Sequence, residues 1–228
     1  NVAVYERCNR SVVNISTVSV RPDGFFRMAI PEEGAGSGAI ISKKGHILTN
    51  FHVVENAKRI QVTLFNGESY TAKAIGADPV NDMAVIQIEA PEEDLFPVEL
   101  GDSDTAQVGM RVFALGNPFG LERTMSLGII SSLNRTLEIQ PNWVIKSIIQ
   151  IDASINPGNS GGALVDSSGR LTGINSAIYS RSGGSIGIGF AIPVNMVKVV
   201  VASARQGSKI VRRPWLGARM QPVTPDVA

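Results

Sequence analysis

The chain has 228 residues, 43% hydrophobic and 18% charged, with a formal net charge of +1. That suffices for one large domain or two small ones, each with a core, and the near-neutral balance offers no electrostatic footprint for nucleic acid or a membrane surface. No apolar run approaches the roughly 18 residues of a membrane-spanning helix. The single cysteine, Cys8, precludes an intrachain disulfide and lacks the surroundings of a reactive thiol.

Nothing at Asn1 reads as a signal peptide, so the chain is expected to be a mature form or an excised segment. Residues 5–20 read as a short helical turn followed by a strand over Ser11–Val18. Residues 21–36 contain Pro22, Gly24, Pro31, Gly34 and Gly36 and are predicted to form a loop. Phe25 and Phe26 in this loop either tuck back onto the domain or contact a neighbouring subunit, since paired exposed aromatics are costly.

Gly38–Ser42 is an apolar strand, residues 43–46 a turn, and Ile47–Thr49 the returning strand. Ile60, Val62 and Leu64 alternate, and Asn66-Gly67 then signals a hairpin before residues 68–75. Met83–Ile88 is a further apolar strand. A second set of short strands covers residues 111–115, 125–133, 148–151, 162–165, 171–177 and 186–191. About six strands on each side of residue 105 predict an all-β protein of two antiparallel barrels. Residues 1–105 form the first, residues 106–206 the second with a C-terminal helix. That helix, 193–205, places Val194, Val197, Val201 and Ala204 on one face.

Residues 155–164, Ile-Asn-Pro-Gly-Asn-Ser-Gly-Gly-Ala-Leu, place a hydroxyl in a glycine-rich turn just before a buried apolar run. Ser160 is the only residue there able to attack a carbonyl. Attack requires a base for its proton and N–H donors for the developing oxyanion. Gly158, Gly161 and Gly162 allow the close backbone approach that such donors need. Taken alone, the motif equally fits a glycine-rich turn between strands. The base must be one of two histidines. His46 sits in a Lys-Lys-Gly-His turn and reads as a solvated turn residue, whereas His52 ends an apolar strand entering a short helical turn. Asp82, at the mouth of the Met83–Ile88 strand, is the favoured orienting carboxylate. Asp78, before Pro79, reads as a turn residue, and Asp152, only eight residues before Ser160, is a weaker candidate. The order His52, Asp82, Ser160 differs from that of the α/β-hydrolases and of subtilisin and matches chymotrypsin.

With these residues in place, the chain resembles the HtrA/Deg serine proteases over nearly its whole length. The matching blocks are Gly36-Ser37-Gly38-Ala39-Ile40-Ile41, residues 47–54, Asn81-Asp82-Met83-Ala84-Val85, residues 114–120, residues 152–164 and residues 186–193. The resemblance implies the chymotrypsin/trypsin fold of two six-stranded barrels. It makes Ser160 the nucleophile, His52 the general base and then acid, and Asp82 the orienting carboxylate. The loop Gly158, Asn159, Ser160 becomes the oxyanion hole, with donors from Gly158 and Ser160. Asn159 replaces the aspartate by which digestive relatives bind a newly cleaved N-terminus, so no such activation is expected. Arg135 matches a signalling arginine, and residues 136–147 a regulatory loop. Ile155, Ile178 and Ile188 would line the S1 pocket. Ser154 stands where trypsin-like enzymes hold a carboxylate for basic side chains, so small or branched apolar residues are expected at the cut.

The resemblance also implies unfolded or damaged protein substrates, no ATP, metal or cofactor, a homotrimer, and a periplasmic location, membrane-associated in some full-length forms. Trp215-Leu216-Gly217 and Thr224-Pro225, after a basic linker, resemble the opening of a PDZ domain over residues 207–228. Two rivals are a catalytically silent barrel fold that holds clients as a chaperone, and a serine esterase. The esterase scaffold alternates strands with helices and places histidine last, a pattern this chain lacks.

Overall fold

The computed structural model describes residues 1–22, 29–118, 120, 123–140, 143–178, 185–205 and 210–211. Helix α1 (Val2–Cys8) leads into β1 (Val12–Pro22), β2 (Ala29–Ile40) and β3 (His46–Thr49). The short helix α2 (Phe51–Val54), β4 (Arg59–Thr63), β5 (Ser69–Asp78) and β6 (Met83–Gln87) complete the first half. These six strands close into an antiparallel barrel in the order β1-β2-β3-β6-β5-β4. The second half holds β7 (Arg111–Gly116), β8 (Thr124–Gln140), β9 (Trp143–Ile151), β10 (Ala163–Asp166), β11 (Leu171–Ile178) and β12 (Gly189–Pro193). They close a second barrel in the order β10-β11-β12-β9-β8-β7. Helix α3 (Val194–Arg205) follows directly. The expected two-barrel architecture of the chymotrypsin/trypsin type is thus the observed one.

Burial explains the strand patterns. Val62 and Leu64 pack with Val13, Ile15, Ile40, Ile47 and Ile86 inside the first barrel. Strand β6 reads as a continuous apolar run because both its faces are buried. Ala84 and Ile86 face the interior of the first barrel, whereas Met83 and Val85 join a second cluster with Phe113, Leu115 and Ala163 of the other barrel. Such double burial removes the period-2 alternation that a half-solvated strand shows. Val112, Ala114, Ile151 and Leu164 fill the second barrel. The α3 stripe Val194, Val197, Val201 and Ala204, with Val200, docks on the inter-barrel cluster. The Asn66-Gly67 hairpin forms as expected, with Gly67 at φ 86° and the Asn66 side chain accepting from Glu68 N.

Two expected loops are strands. Residues 21–22 and 29–36 belong to β1 and β2, which pair continuously from Val12 opposite Ala39 to Pro22 opposite Ala29. The prolines are tolerated because β1 pairs with β4 only from Asn14 to Val18. Beyond that point the hairpin is a two-stranded ribbon, where a missing N–H breaks no second ladder. Gly34 and Gly36 serve close packing here: a Cβ on Gly36 would lie 2.7 Å from Val53 Cγ1. Likewise residues 136–140 and 143–147 are the arms of β8 and β9, paired as far as Gln140 opposite Trp143 with several register shifts. Phe25 and Phe26 lie outside the described residues, as do all but 210 and 211 of the expected PDZ opening.

The helix seals the first barrel through one tight contact. A Cβ on Gly76 of β5 would sit 2.6 Å from Cβ of Ala204. We expect Gly76→Ala to destabilise the fold by about 1–3 kcal/mol through overpacking. Ala204→Gly should offset part of this loss, so urea unfolding of both single variants and the double should reveal favourable coupling.

Candidate active site

Asp82 follows the 3-10 turn Pro79–Asn81 and adopts a left-handed conformation at φ 54°, ψ 45°. This strained geometry turns its backbone and side chain toward the end of β3. Its carbonyl accepts from Phe51 N at 3.1 Å and from Asn50 Nδ2 at 3.0 Å. Its carboxylate is 3% exposed. Oδ1 accepts from the His52 backbone N at 2.9 Å, and Oδ2 lies 2.8 Å from His52 Nδ1. The Ser176 hydroxyl donates to the same Oδ2 at 3.1 Å. A carboxylate so placed holds the ring proton on Nδ1 and leaves Nε2 as the free base. The ring itself is 41% exposed, so Nε2 is reachable from solvent.

Ser160 lies between β9 and β10 in a tight loop. Asn159 N donates to Asn156 O at 3.0 Å, Gly162 N to Asn159 O at 3.0 Å, and Gly161 N to Asn175 O at 2.8 Å. The Ser160 hydroxyl donates to the Ser176 carbonyl at 2.9 Å. No hydrogen bond joins it to His52 among the described residues. Ser176 therefore bridges the group, its hydroxyl on Asp82 and its carbonyl on Ser160. The fold brings together the three residues singled out from the sequence, but with the serine hydroxyl turned toward Ser176. Catalytic hydrogen bonds are often long or misaligned without substrate.

The N–H groups of Gly158 and Ser160 have no hydrogen-bond partner among the described residues. The Asn159 N–H does not share that freedom, because it closes the turn on Asn156. Of the three residues expected at the oxyanion hole, Asn159 uses its N–H within the loop, and the two expected donors are Gly158 and Ser160. The Asn159 Oδ1 accepts from Thr124 Oγ1 at 3.4 Å and packs against Gly116.

Beside this loop, Ile155 is fully buried. Its Cγ1 would lie 2.9 Å from a Cβ on Gly189, and Gly189 is opposite Ile178 in the β11–β12 ladder. Ile188 is half-buried and packs against a cluster of Ile145, Ile148 and Phe190. Asn156 Oδ1 accepts from Ser185 N at 3.2 Å, tying the flanking loop to the nucleophile loop.

Several candidates stand apart. Asp152 accepts from Ile129 N at 2.6 Å on the outside of the second barrel, not from a histidine. Asp78 is 4% exposed and caps its own turn through Asn81. His46 is the half-buried first residue of β3 rather than a solvated turn residue. Burial, then Arg205 and Lys44, hold its pKa below the usual histidine value. Arg135 is exposed on β8 and donates to Gln150 Oε1 at 3.0 Å. Cys8 is buried, its Sγ 3.3 Å from Gly169 O, and burial pushes the thiol pKa up. Among the described residues no cluster of three or more His, Cys, Asp or Glu could hold a metal ion. Ser176, Ser37 and Asn50 are the polar residues the sequence reading missed. Each is a small side chain in an apolar strand or turn, and only its unexpected burial distinguishes it.

Two antiparallel barrels with a buried aspartate bonded to a solvent-facing histidine on one and a glycine-flanked serine on the other define a trypsin-like peptidase domain. The family model of that description matches residues 36–174. The solved structure of the HtrA-type protease AlgW with a decapeptide superposes with a TM-score of 0.84 at 39% identity, covering 98% of this chain and 73% of that one. The chain belongs to the HtrA-type serine proteases of the trypsin-like peptidase family. It is 45% identical over 97% of its length to Protease Do-like 1, chloroplastic, of Arabidopsis thaliana, covering 51% of that protein. It is 47% identical over 85% of its length to a probable periplasmic serine endoprotease DegP-like of Halomonas elongata, covering 40% of that one. The chain thus spans about half or less of these relatives.

The loop geometry makes a direct prediction. Gly161 has φ 85°, and a Cβ there would run into the Ser37 carbonyl and the Thr49 hydroxyl. Gly161→Ala should cost about 2–4 kcal/mol, combining left-handed strain with a backbone clash. Chemical denaturation would measure the loss, and reactivity of Ser160 toward a fluorophosphonate should fall in parallel.

Proposed function

We propose that this chain is the proteolytic unit of an ATP-independent serine endopeptidase that degrades unfolded or damaged proteins. The observation that carries the reading is the Asp82 carboxylate, which grips both the backbone N and Nδ1 of His52 while Ser176 ties it to Ser160. In the proposed reaction a substrate carbonyl carbon enters beside Ser160. The Ser160 hydroxyl rotates from Ser176 to His52, gives its proton to Nε2 and attacks. The oxyanion receives the Gly158 and Ser160 N–H groups. The protonated His52, stabilised by Asp82, then hands the proton to the departing amine. Water, deprotonated by the same ring, hydrolyses the acyl-enzyme. Every group used belongs to this chain, its substrate or solvent.

Ile155, Ile178 and Ile188 are proposed to form the S1 pocket. A basic residue would bury an unpaired charge among isoleucines, which is strongly unfavourable. Small and branched apolar residues are therefore the proposed preference, graded because each methylene is worth only about 1–3 kcal/mol. The tripartite partner reading is a homotrimer, with a PDZ domain in the full-length protein and Arg135 relaying its state to the nucleophile loop. The peptide in the AlgW structure and the names of the DegP-like relatives support peptide substrates and a periplasmic setting. The Arabidopsis relative is named for the chloroplast. No helix among the described residues is long and apolar enough to cross a membrane.

The deciding experiment is digestion of casein by the full-length protein and its variants. Ser160→Ala and His52→Ala should each lower kcat by about 10⁴–10⁶-fold, and Asp82→Asn by about 10⁴-fold. The triple variant should be little worse than the worst single one, whereas additive losses would refute a shared machine.

The pocket reading is checked separately by mass spectrometry of the digests. Cuts should follow Val, Ala, Ile or Leu, and Ile188→Ala should shift them toward larger side chains. Cuts mainly after Lys, Arg or aromatic residues would overturn it.

A further inference from the structure

Ser37 lies in β2 of the first barrel, 123 residues before the nucleophile, and is wholly buried. Every polar group it owns is used. Its hydroxyl donates to Gly158 O at 2.6 Å and accepts from Asn117 N at 2.8 Å. Its backbone N donates to Ser160 O at 2.8 Å, and its carbonyl accepts from the Thr49 hydroxyl at 2.8 Å. The Asn117 N–H can only donate, so the Ser37 oxygen accepts from it and the single hydroxyl proton is committed to Gly158 O. One residue thus holds the carbonyls of both Gly158 and Ser160, on either side of Asn159.

Gly158 needs such a hold. At φ 91° and without a side chain, it has nothing of its own to fix its peptide planes. Turning the Gly158 carbonyl would break a short buried bond and leave the Ser37 hydroxyl proton without its acceptor.

We infer that Ser37 is a positioning residue that holds the Gly158–Asn159 and Ser160–Gly161 peptides to the barrel carrying His52 and Asp82, and through them orients the adjoining peptides that carry the Gly158 and Ser160 N–H groups. This rests on the serine-endopeptidase reading of the site. Ser37 touches no reacting atom and acts only through the loop.

The test compares Ser37→Ala and Ser37→Cys in the full-length protein, each checked for folding by thermal denaturation. For Ser37→Ala, kcat on a peptide substrate should fall about 10–100-fold, below the loss for deleting a direct oxyanion donor. KM should stay within about threefold, because substrate binding draws on other groups. Fluorophosphonate labelling of Ser160 should slow by a similar factor to kcat, since the phosphonyl oxygen occupies the same N–H pair. Ser37→Cys, a weaker donor of similar size, should fall between parent and Ser37→Ala. Parental kcat in folded Ser37→Ala, a change in KM alone, or unchanged labelling would overturn the inference. Failure of both variants to fold would also overturn it, leaving Ser37 a residue of stability only. Undiminished cleavage by Ser160→Ala would instead sink the underlying reading of the site, whatever Ser37 does.

Discussion

The arrangement depends on one buried carboxylate. Removing Asp82 from water costs several kcal/mol, and only well-formed hydrogen bonds offset that cost. It receives three: the His52 N–H, the His52 ring and the Ser176 hydroxyl. Bonds to a charged group contribute about 1.5–3 kcal/mol each, so all three matter. The first comes from the opening turn of α2 and the last from the second barrel. Satisfying this carboxylate therefore requires the end of β3, the start of β6 and the end of β11 to meet. Its left-handed backbone is held by the Phe51 and Asn50 bonds to its carbonyl, which is why the strain persists.

The seam between the barrels is polar around this carboxylate. Elsewhere α3 and both barrels share an apolar cluster that includes Met83, Val85, Phe113, Leu115 and Val197. That cluster fixes the relative placement of the barrels, and the polar patch sits at its margin. Ser37, Thr49, Asn50, Asn117, Asn175 and Ser176 are all buried there. Their bonds cross between barrels or pin loops to strands, so the nucleophile loop is hung from the first barrel although its chain belongs to the second.

Much of this was legible in the chain itself. The glycine-flanked Ser160, the histidine following an apolar strand and the carboxylate at a strand mouth are local patterns, and their order distinguished the fold. Alternation in residues 60–64 and the Asn66-Gly67 turn are equally local, because side-chain period and positive φ are properties of a few adjacent residues. The readings that failed were those in which tertiary packing reverses a local signal. Pro22, Pro31, Gly34 and Gly36 look like loop punctuation, yet the prolines sit in a two-stranded ribbon that tolerates a missing N–H, and the glycines sit in the barrel where a Cβ would clash. His46 looks solvated beside two lysines, but the β3–β6 ladder draws it half inside.

The sequence by itself determined which residue types could do the chemistry and the antiparallel all-β architecture that would carry them. Tertiary structure alone decided how those residues are held. Ser176 and Ser37 are ordinary serines in apolar strands, and nothing nearby in the chain marks them. Their bonds run to Asp82, Gly158 and Ser160 across sequence separations of 94, 121 and 123 residues. A hydrogen bond is chosen by distance and angle within a few tenths of an ångström. That precision exists only after both barrels have closed and packed against each other.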